Sequence, residues 1–160
     1  MSFSVIKISV FYIAKNAKDL SDTLCGEFAT LLKSFNIELE FKNLFSKSIK
    51  ESQKQDAQEA KKSYSQAFYK VFKNTNQYRI ALTPQGKFLD SFKFSQILDK
   101  KSEIAFFIGG AYGLENEFLQ KCHTQISLSN LTFSHKIAKI VLSEQIYRGF
   151  CLLNNHPYHK

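Results

Sequence analysis

The sequence predicts a single α/β domain over residues 1–160, built on a mostly parallel sheet, and three observations lead there. Short runs rich in Val, Ile, Phe and Tyr alternate with longer stretches whose apolar residues recur at helical spacing. Such alternation is the pattern of repeated β-α units. The run Ile104-Ala105-Phe106-Phe107-Ile108 is apolar throughout, as a strand covered on both faces requires. The length, 160 residues, is that of one ordinary domain, with no linker, repeat or second domain visible.

The elements follow in order. Residues 4–13 form a strand, being rich in Val, Ile, Phe and Tyr. Over 18–34, Leu20, Leu24, Phe28, Leu31 and Leu32 fall on one helical face. Ile37–Phe41 alternates apolar and charged residues, a short strand. Residues 43–56 are polar and Lys-rich, a loop grading into a helix. From about 54 to 73, Ala57, Ala60, Tyr64, Ala67, Phe68, Val71 and Phe72 line one face of that helix. Tyr78–Leu82 is a strand, and Thr83-Pro84-Gln85-Gly86 is turn chemistry. A helix is expected over 91–101, a strand over 104–108, a helix over 114–122, a short strand over 125–128 and a long helix over 135–152. The aromatic tail Asn154–Lys160 closes the chain.

Composition narrows the function. The net charge is +8, from 22 basic and 14 acidic residues. That favours an acidic partner such as nucleic acid, an anionic membrane surface or a phosphorylated ligand, although lysines also serve plain solubility. Only Arg79 and Arg148 are arginines, the better fork for phosphate and carboxylate. Three cysteines, Cys25, Cys122 and Cys151, are widely spaced without a C-x-x-C. Neither a disulfide framework nor a zinc site is indicated, and reduced thiols suit a cytoplasmic protein. Lys7 interrupts the apolar N-terminal run, which is therefore a strand and not a signal peptide. No stretch approaches the roughly 20 apolar residues of a membrane span.

In an open α/β sheet, ligands gather at the carboxyl ends of the strands. Three loops qualify: Thr83–Gly86, Gly109–Gly113 and Ser127–His135. Gly109 and Gly110 directly follow the most apolar strand, where missing side chains let a ligand approach the backbone. The same glycines would equally serve a tight strand-to-helix turn. The loop is neither G-x-G-x-x-G nor a Walker A motif, so it does not indicate a dinucleotide or ATP. The Ser, Asn and Thr of Ser127–Phe133 could cradle a ligand or simply cap the next helix. His156 and His159 raise a metal pair, but His123 and His135 lie in other elements and no metal is expected. Arg148 either pairs with Glu144 at i−4 or awaits a substrate phosphate. No G-x-S-x-G elbow is present, and no motif surrounds a cysteine.

From Phe106 to Lys160 the chain resembles the ribosomal RNA large subunit methyltransferase H family of the SPOUT superfamily. The matching pieces are Ile108-Gly109-Gly110-x-x-Gly113-Leu114, Leu128-Ser129-x-Leu131-Thr132-Phe133-x-His135, Glu144-x-x-Tyr147-Arg148 and Asn155-His156-Pro157-Tyr158-His159. The N-terminal half is similar more loosely, through length, strand order and Leu82-x-x-x-Gly86-Lys87. The resemblance implies a SPOUT-type α/β knot, with the C-terminal segment threaded into a trefoil, a rare exception to unthreaded chain paths. It implies S-adenosylmethionine as donor, bound by Leu82, Gly109, Leu128, Ser129, Asn130, Leu131, Thr132 and Phe133. The implied reaction is methylation at N3 of a pseudouridine, pseudouridine 1915, in 23S ribosomal RNA within the assembled ribosome. Arg148, Tyr158 and His159 are the implied catalytic candidates, and Arg148 and His156 the implied RNA contacts. A homodimer is implied, the tail of one subunit reaching the partner's site. The chain departs from the family at Thr83, where an acidic residue is common, at Ser134, often Pro, and at Ala111, often Pro or Ser. Thr83 removes a carboxylate from the first loop. Two other readings stand beside this one: another SPOUT enzyme acting on transfer RNA, and a basic RNA-binding domain without catalysis, which explains the charge but not the three loops.

Overall fold

In the computed structural model, residues 4–15, 18–74 and 76–159 are described. The order is β1 (Ile6–Tyr12), α1 (Leu20–Leu32), β2 (Ile37–Asn43), α2 (Lys47–Gln55), α3 (Ala57–Tyr69), β3 (Gln77–Phe88), α4 (Ser91–Leu98), β4 (Glu103–Ile108), α5 (Asn116–Gln120), β5 (Thr124–Ser127) and α6 (His135–Leu153). The five strands form one sheet in the order β2-β1-β4-β3-β5. Every pairing between them is parallel, so the sheet is wholly parallel where the sequence predicts mostly so.

Alternation along the strands builds two cores. Ile8, Val10, Ile80, Ile104, Phe106 and Ile108 face one side, packed with Leu32, Leu98, Leu142 and Ile146 of α1, α4 and α6. Phe11, Ala81, Ala105 and Phe107 face the other, against Ala60, Tyr64 and Phe68 of α3 and Phe118 of α5. The central β4 is buried on both faces, as its unbroken apolar run requires.

Two local readings change. The lysine-rich stretch resolves into two helices, because Asp56 is extended (φ −160°) and its carboxylate accepts the Glu59 N–H, capping a new helix. The turn Thr83–Gly86 lies inside β3: Leu82 and Lys87 both pair with Ile126. The intervening residues, Pro84 with no N–H among them, bulge outward over β5. Gly86 presses on the Ile126 backbone, where a Cβ would collide.

The first turn of α6 is pinned to the start of α1. Lys136 pairs with Asp19, and Lys139, only 3% exposed, pairs with Asp22 at 3.0 Å. Lys139 also lies 4.2 Å from the Tyr12 ring centre. At the far end, Asn155 takes a left-handed φ of 53°. The His156 N–H returns to the Cys151 carbonyl and the Asn155 N–H to that of Leu152, a Schellman closure that turns the tail back over the helix. No helix among the described residues is long and apolar enough to cross a membrane.

Candidate functional site

The three loops chosen by the sheet rule meet. Leu82–Gln85, Ile108–Leu114 and Ser127–His135 line one cavity of about 770 Å³ at the carboxyl ends of β4 and β5 and the bulge inside β3. Lys61 of α3, Asn116 and Leu119 of α5 and Ala138 of α6 complete its wall. All the residues expected to hold the donor, Leu82, Gly109, Leu128, Ser129, Asn130, Leu131, Thr132 and Phe133, stand in this lining.

The glycine loop is shaped by its own packing. A Cβ on Gly109 would stand 3.0 Å from the Gly113 carbonyl, and one on Gly110 would lie 2.5 Å from Cζ of Tyr64. The Gly113 N–H closes the turn on the Gly110 carbonyl at 3.0 Å. The side-chain-free surface at these two glycines is thus filled by protein, and the loop offers the cavity its backbone. Ala111 is exposed.

The third loop is knit by short polar side chains. Ser127 donates to the Ser129 carbonyl at 3.0 Å, and Ser129 Oγ accepts the Leu131 N–H at 2.9 Å. Leu131 is thereby held out at 74% exposure. Ser134 accepts the Ile137 N–H as the cap of α6, a bond that the proline common in the family cannot make. Thr83 is buried and donates to Gln85 Oε1 at 2.7 Å. It braces the first loop where a carboxylate would otherwise stand. His135 opens α6 at the cavity wall, and burial, with Lys139 and Lys136 nearby, lowers its pKa.

The expected RNA-facing residues form a second cluster. Arg148 gives Nε and Nη2 to Glu144 Oε1 at 3.0 and 2.7 Å, and Nη1 lies 3.1 Å from His159 Nδ1. A guanidinium only donates, so Nδ1 accepts and the His159 proton sits on Nε2. Tyr158 donates to the same Glu144 oxygen at 3.1 Å and lies under the guanidinium. Burial, then Glu144, pushes the Tyr158 phenol up. His156 packs edge-on to Phe35 and accepts the Tyr158 N–H, and His159 packs edge-on to Phe92. Of the two alternatives for Arg148, the pairing with Glu144 is present, and the paired group faces a tail that also covers apolar surface. Among the described residues, none of the tail lines the cavity. Arg148 lies ten residues beyond Ala138 along α6, about 15 Å at the helical rise.

Sequence reasoning passed over Glu144 as more than a partner for Arg148, and over Lys61, Tyr64 and Lys139. Lys139 had a signal, a charge inside the apolar stripe of α6. Burial raises the thiol pKa of all three cysteines, that of Cys122 to about 12, so these thiols stay protonated. Among the described residues no three His, Cys, Asp or Glu side chains group to hold a metal ion.

Known proteins resemble the chain over nearly all its length. Residues 6–159 match the family described as Predicted SPOUT methyltransferase. A protein of Wolinella succinogenes named Ribosomal RNA large subunit methyltransferase H is 50% identical over 157 residues, covering 97% of this chain and 100% of that one. Proteins of the same name from a Nitratiruptor species and from Aliarcobacter butzleri are 46% and 43% identical, over 96% and 97% of this chain and 99% and 100% of theirs. A solved structure, a probable methylase family protein from Haemophilus influenzae Rd KW20, shares the fold at a TM-score of 0.52 and 17% identity, covering 98% of this chain and 71% of that one. Motif order, loop convergence and these relatives agree: the chain is a methyltransferase and belongs to the ribosomal RNA large subunit methyltransferase H family of the SPOUT class.

Proposed function

We propose that the chain transfers a methyl group from S-adenosylmethionine to N3 of a pseudouridine in 23S ribosomal RNA, acting on assembled ribosomes in the cytoplasm as a homodimer. The observation that carries the proposal is the convergence of three loops on one cavity, in a chain half identical to a protein named as a ribosomal RNA large subunit methyltransferase. The cavity fits the donor. Its volume lies within the range of small-molecule sites, and it offers loop backbone together with apolar Leu82, Leu128 and Phe133.

The bound donor would supply a methyl group already activated by sulfonium charge. The chain's own task is alignment and management of the N3 proton. Tyr158 donates to Glu144, so its oxygen lone pairs face outward to accept the N3–H. A proton arriving at Tyr158 Oη is matched by one passing to Glu144 Oε1. Arg148 stabilises the negative charge that develops on the base, and His159, held by Arg148, offers its Nε2–H to a ring carbonyl. His156 would help to seat the RNA.

Two features support the dimer. The tail cluster and the cavity of one chain lie far apart along α6. Leu131 in the cavity wall, Ile137 in the first turn of α6, and Leu20 and Leu24 in the first turns of α1 are exposed apolar residues, and the Asp19–Lys136 pair joins the starts of the two helices. A partner covering these apolar residues would bring its tail to the cavity. The knot is proposed on the family resemblance: beyond the third loop, α6 packs against both α1 and α4, a placement that a threaded C-terminal segment would also have.

The test incubates the protein with methyl-tritiated S-adenosylmethionine and, separately, free 23S RNA, large subunits, whole ribosomes and transfer RNA. Label at N3 of one pseudouridine, strongest on whole ribosomes, is expected. Label on transfer RNA alone, or on nothing, overturns the proposal.

A further inference from the structure

The cavity's glycine loop rests on α3, an element from the half of the chain in which the family motifs are sparse. Three contacts make the seat. The Tyr64 ring lies beneath Gly110 so closely that a Cβ there would stand 2.5 Å from Cζ and 2.7 Å from Oη. The Tyr64 hydroxyl accepts from Gln53 Nε2 of α2 at 2.6 Å. One residue on, Ser65 Oγ donates to the Glu115 carboxylate at the far end of the loop. Tyr64 itself is fully buried, packed in the core beneath the sheet. Its oxygen is therefore fixed by a side chain from one direction and presented to a loop backbone in the other.

We infer that Tyr64 is a positioning residue of the methyl-donor site, setting the glycine loop through its ring and hydroxyl under Gly110. The inference rests on the proposal that this cavity takes S-adenosylmethionine. A donor held by loop backbone is held only as well as that backbone is placed. An unsupported loop of glycines is otherwise the freest segment of the wall. Gln53 completes the device by directing its amide N–H at the phenol oxygen, which fixes the orientation of the hydroxyl.

The decisive variant is Tyr64→Phe, which keeps the ring and removes the oxygen. With S-adenosylmethionine titrated into the whole protein by calorimetry, its Kd is expected to rise about three- to tenfold, the scale of one hydrogen bond. In methyl transfer to ribosomes, KM for the donor rises in step, while kcat at saturating donor stays at the wild-type value. Gly110→Ala should weaken donor binding by roughly tenfold or more through overpacking. In a double-mutant cycle, Gly110→Ala with Tyr64→Leu should lose less than the two single losses combined, because the ring it strikes is gone. A Tyr64→Phe protein that melts lower yet keeps wild-type donor Kd and KM shows a merely structural tyrosine and overturns the inference. So does an additive cycle. A Gly110→Ala protein that binds S-adenosylmethionine normally also overturns the inference, whereas wild-type protein that fails to bind the donor at all removes the underlying reading of the cavity.

Discussion

Glu144 Oε1 accepts three hydrogen bonds, two from Arg148 and one from Tyr158, while Oε2 accepts from Gln145. That saturation holds a flexible arginine and a tail tyrosine in one geometry. Arg148→Lys keeps the charge but loses the fork. Methyl transfer should fall by roughly 100-fold, the scale of losing one aligned electrostatic group. Donor affinity by calorimetry should stay within about twofold, since the residue lies outside the cavity; a matching loss of donor affinity would refute the separation of the two clusters. A second prediction at this scale concerns pH. Burial lowers the pKa of His123 and His135 below the ordinary 6.5. Each contributes stability that is present above 6.5 and is lost as pH falls, because the unfolded chain takes up the proton first. The melting temperature should therefore drop between pH 7 and 5. The drop should be smaller in His123→Gln/His135→Gln, and an identical drop would assign the effect to other groups. The lowered carboxylates Asp22 and Glu40 act in a separate, more acidic window.

Helices α1 and α6 share a charged clamp at the edge of the cavity. Lys139 is the buried member, and Asp22 its partner. Lys139→Met leaves the Asp22 carboxylate partly buried with its ion pair gone. It should cost about 3 kcal/mol of stability, as breaking buried pairs does, read as a shift in the urea midpoint. Removing both charges in Lys139→Met/Asp22→Leu should restore part of that loss. A single variant as stable as wild type would mean that neither the ion pair nor the Tyr12 face contributes, and would refute the clamp. Because α6 begins at the cavity wall, the single variant should also weaken donor binding several-fold.

For the whole molecule, the tail is the separable part. It turns back at Asn155 and packs on Phe35, Tyr147 and Phe92 through His156, Tyr158 and His159. Deleting residues 155–160 should abolish methyl transfer to ribosomes while the far-ultraviolet spectrum and most donor affinity remain. A truncated protein with the wild-type rate would overturn the role proposed for the tail. Light scattering at micromolar concentration should give twice the 18.4 kDa chain mass, and a monomer mass would refute the dimer.

Much of this was legible in the chain. β4 announced itself by five apolar residues in a row. The helices other than α2 showed in their apolar stripes, and the glycine and serine loops in residues that side-chain packing cannot explain. Periodicity also named both faces of α3, yet it could not distinguish a core tyrosine from one that supports a loop. Local sequence determines which segments become strand, helix or loop, because propensity, capping and hydrophobic period act within a few residues. What only the tertiary structure decided is which of those segments meet. Strand order β2-β1-β4-β3-β5 brings Leu82, Gly109 and Leu128 around one cavity. The Schellman turn at Asn155 carries Tyr158 back to Glu144, fourteen residues earlier. The bulge at Thr83–Gly86 exists because β5 arrives beside β3 from some forty residues away, and Tyr64 bears on Gly110 because the helix and the loop are folded onto the same face of the sheet. These contacts depend on long-range packing of the chain, which no local pattern encodes.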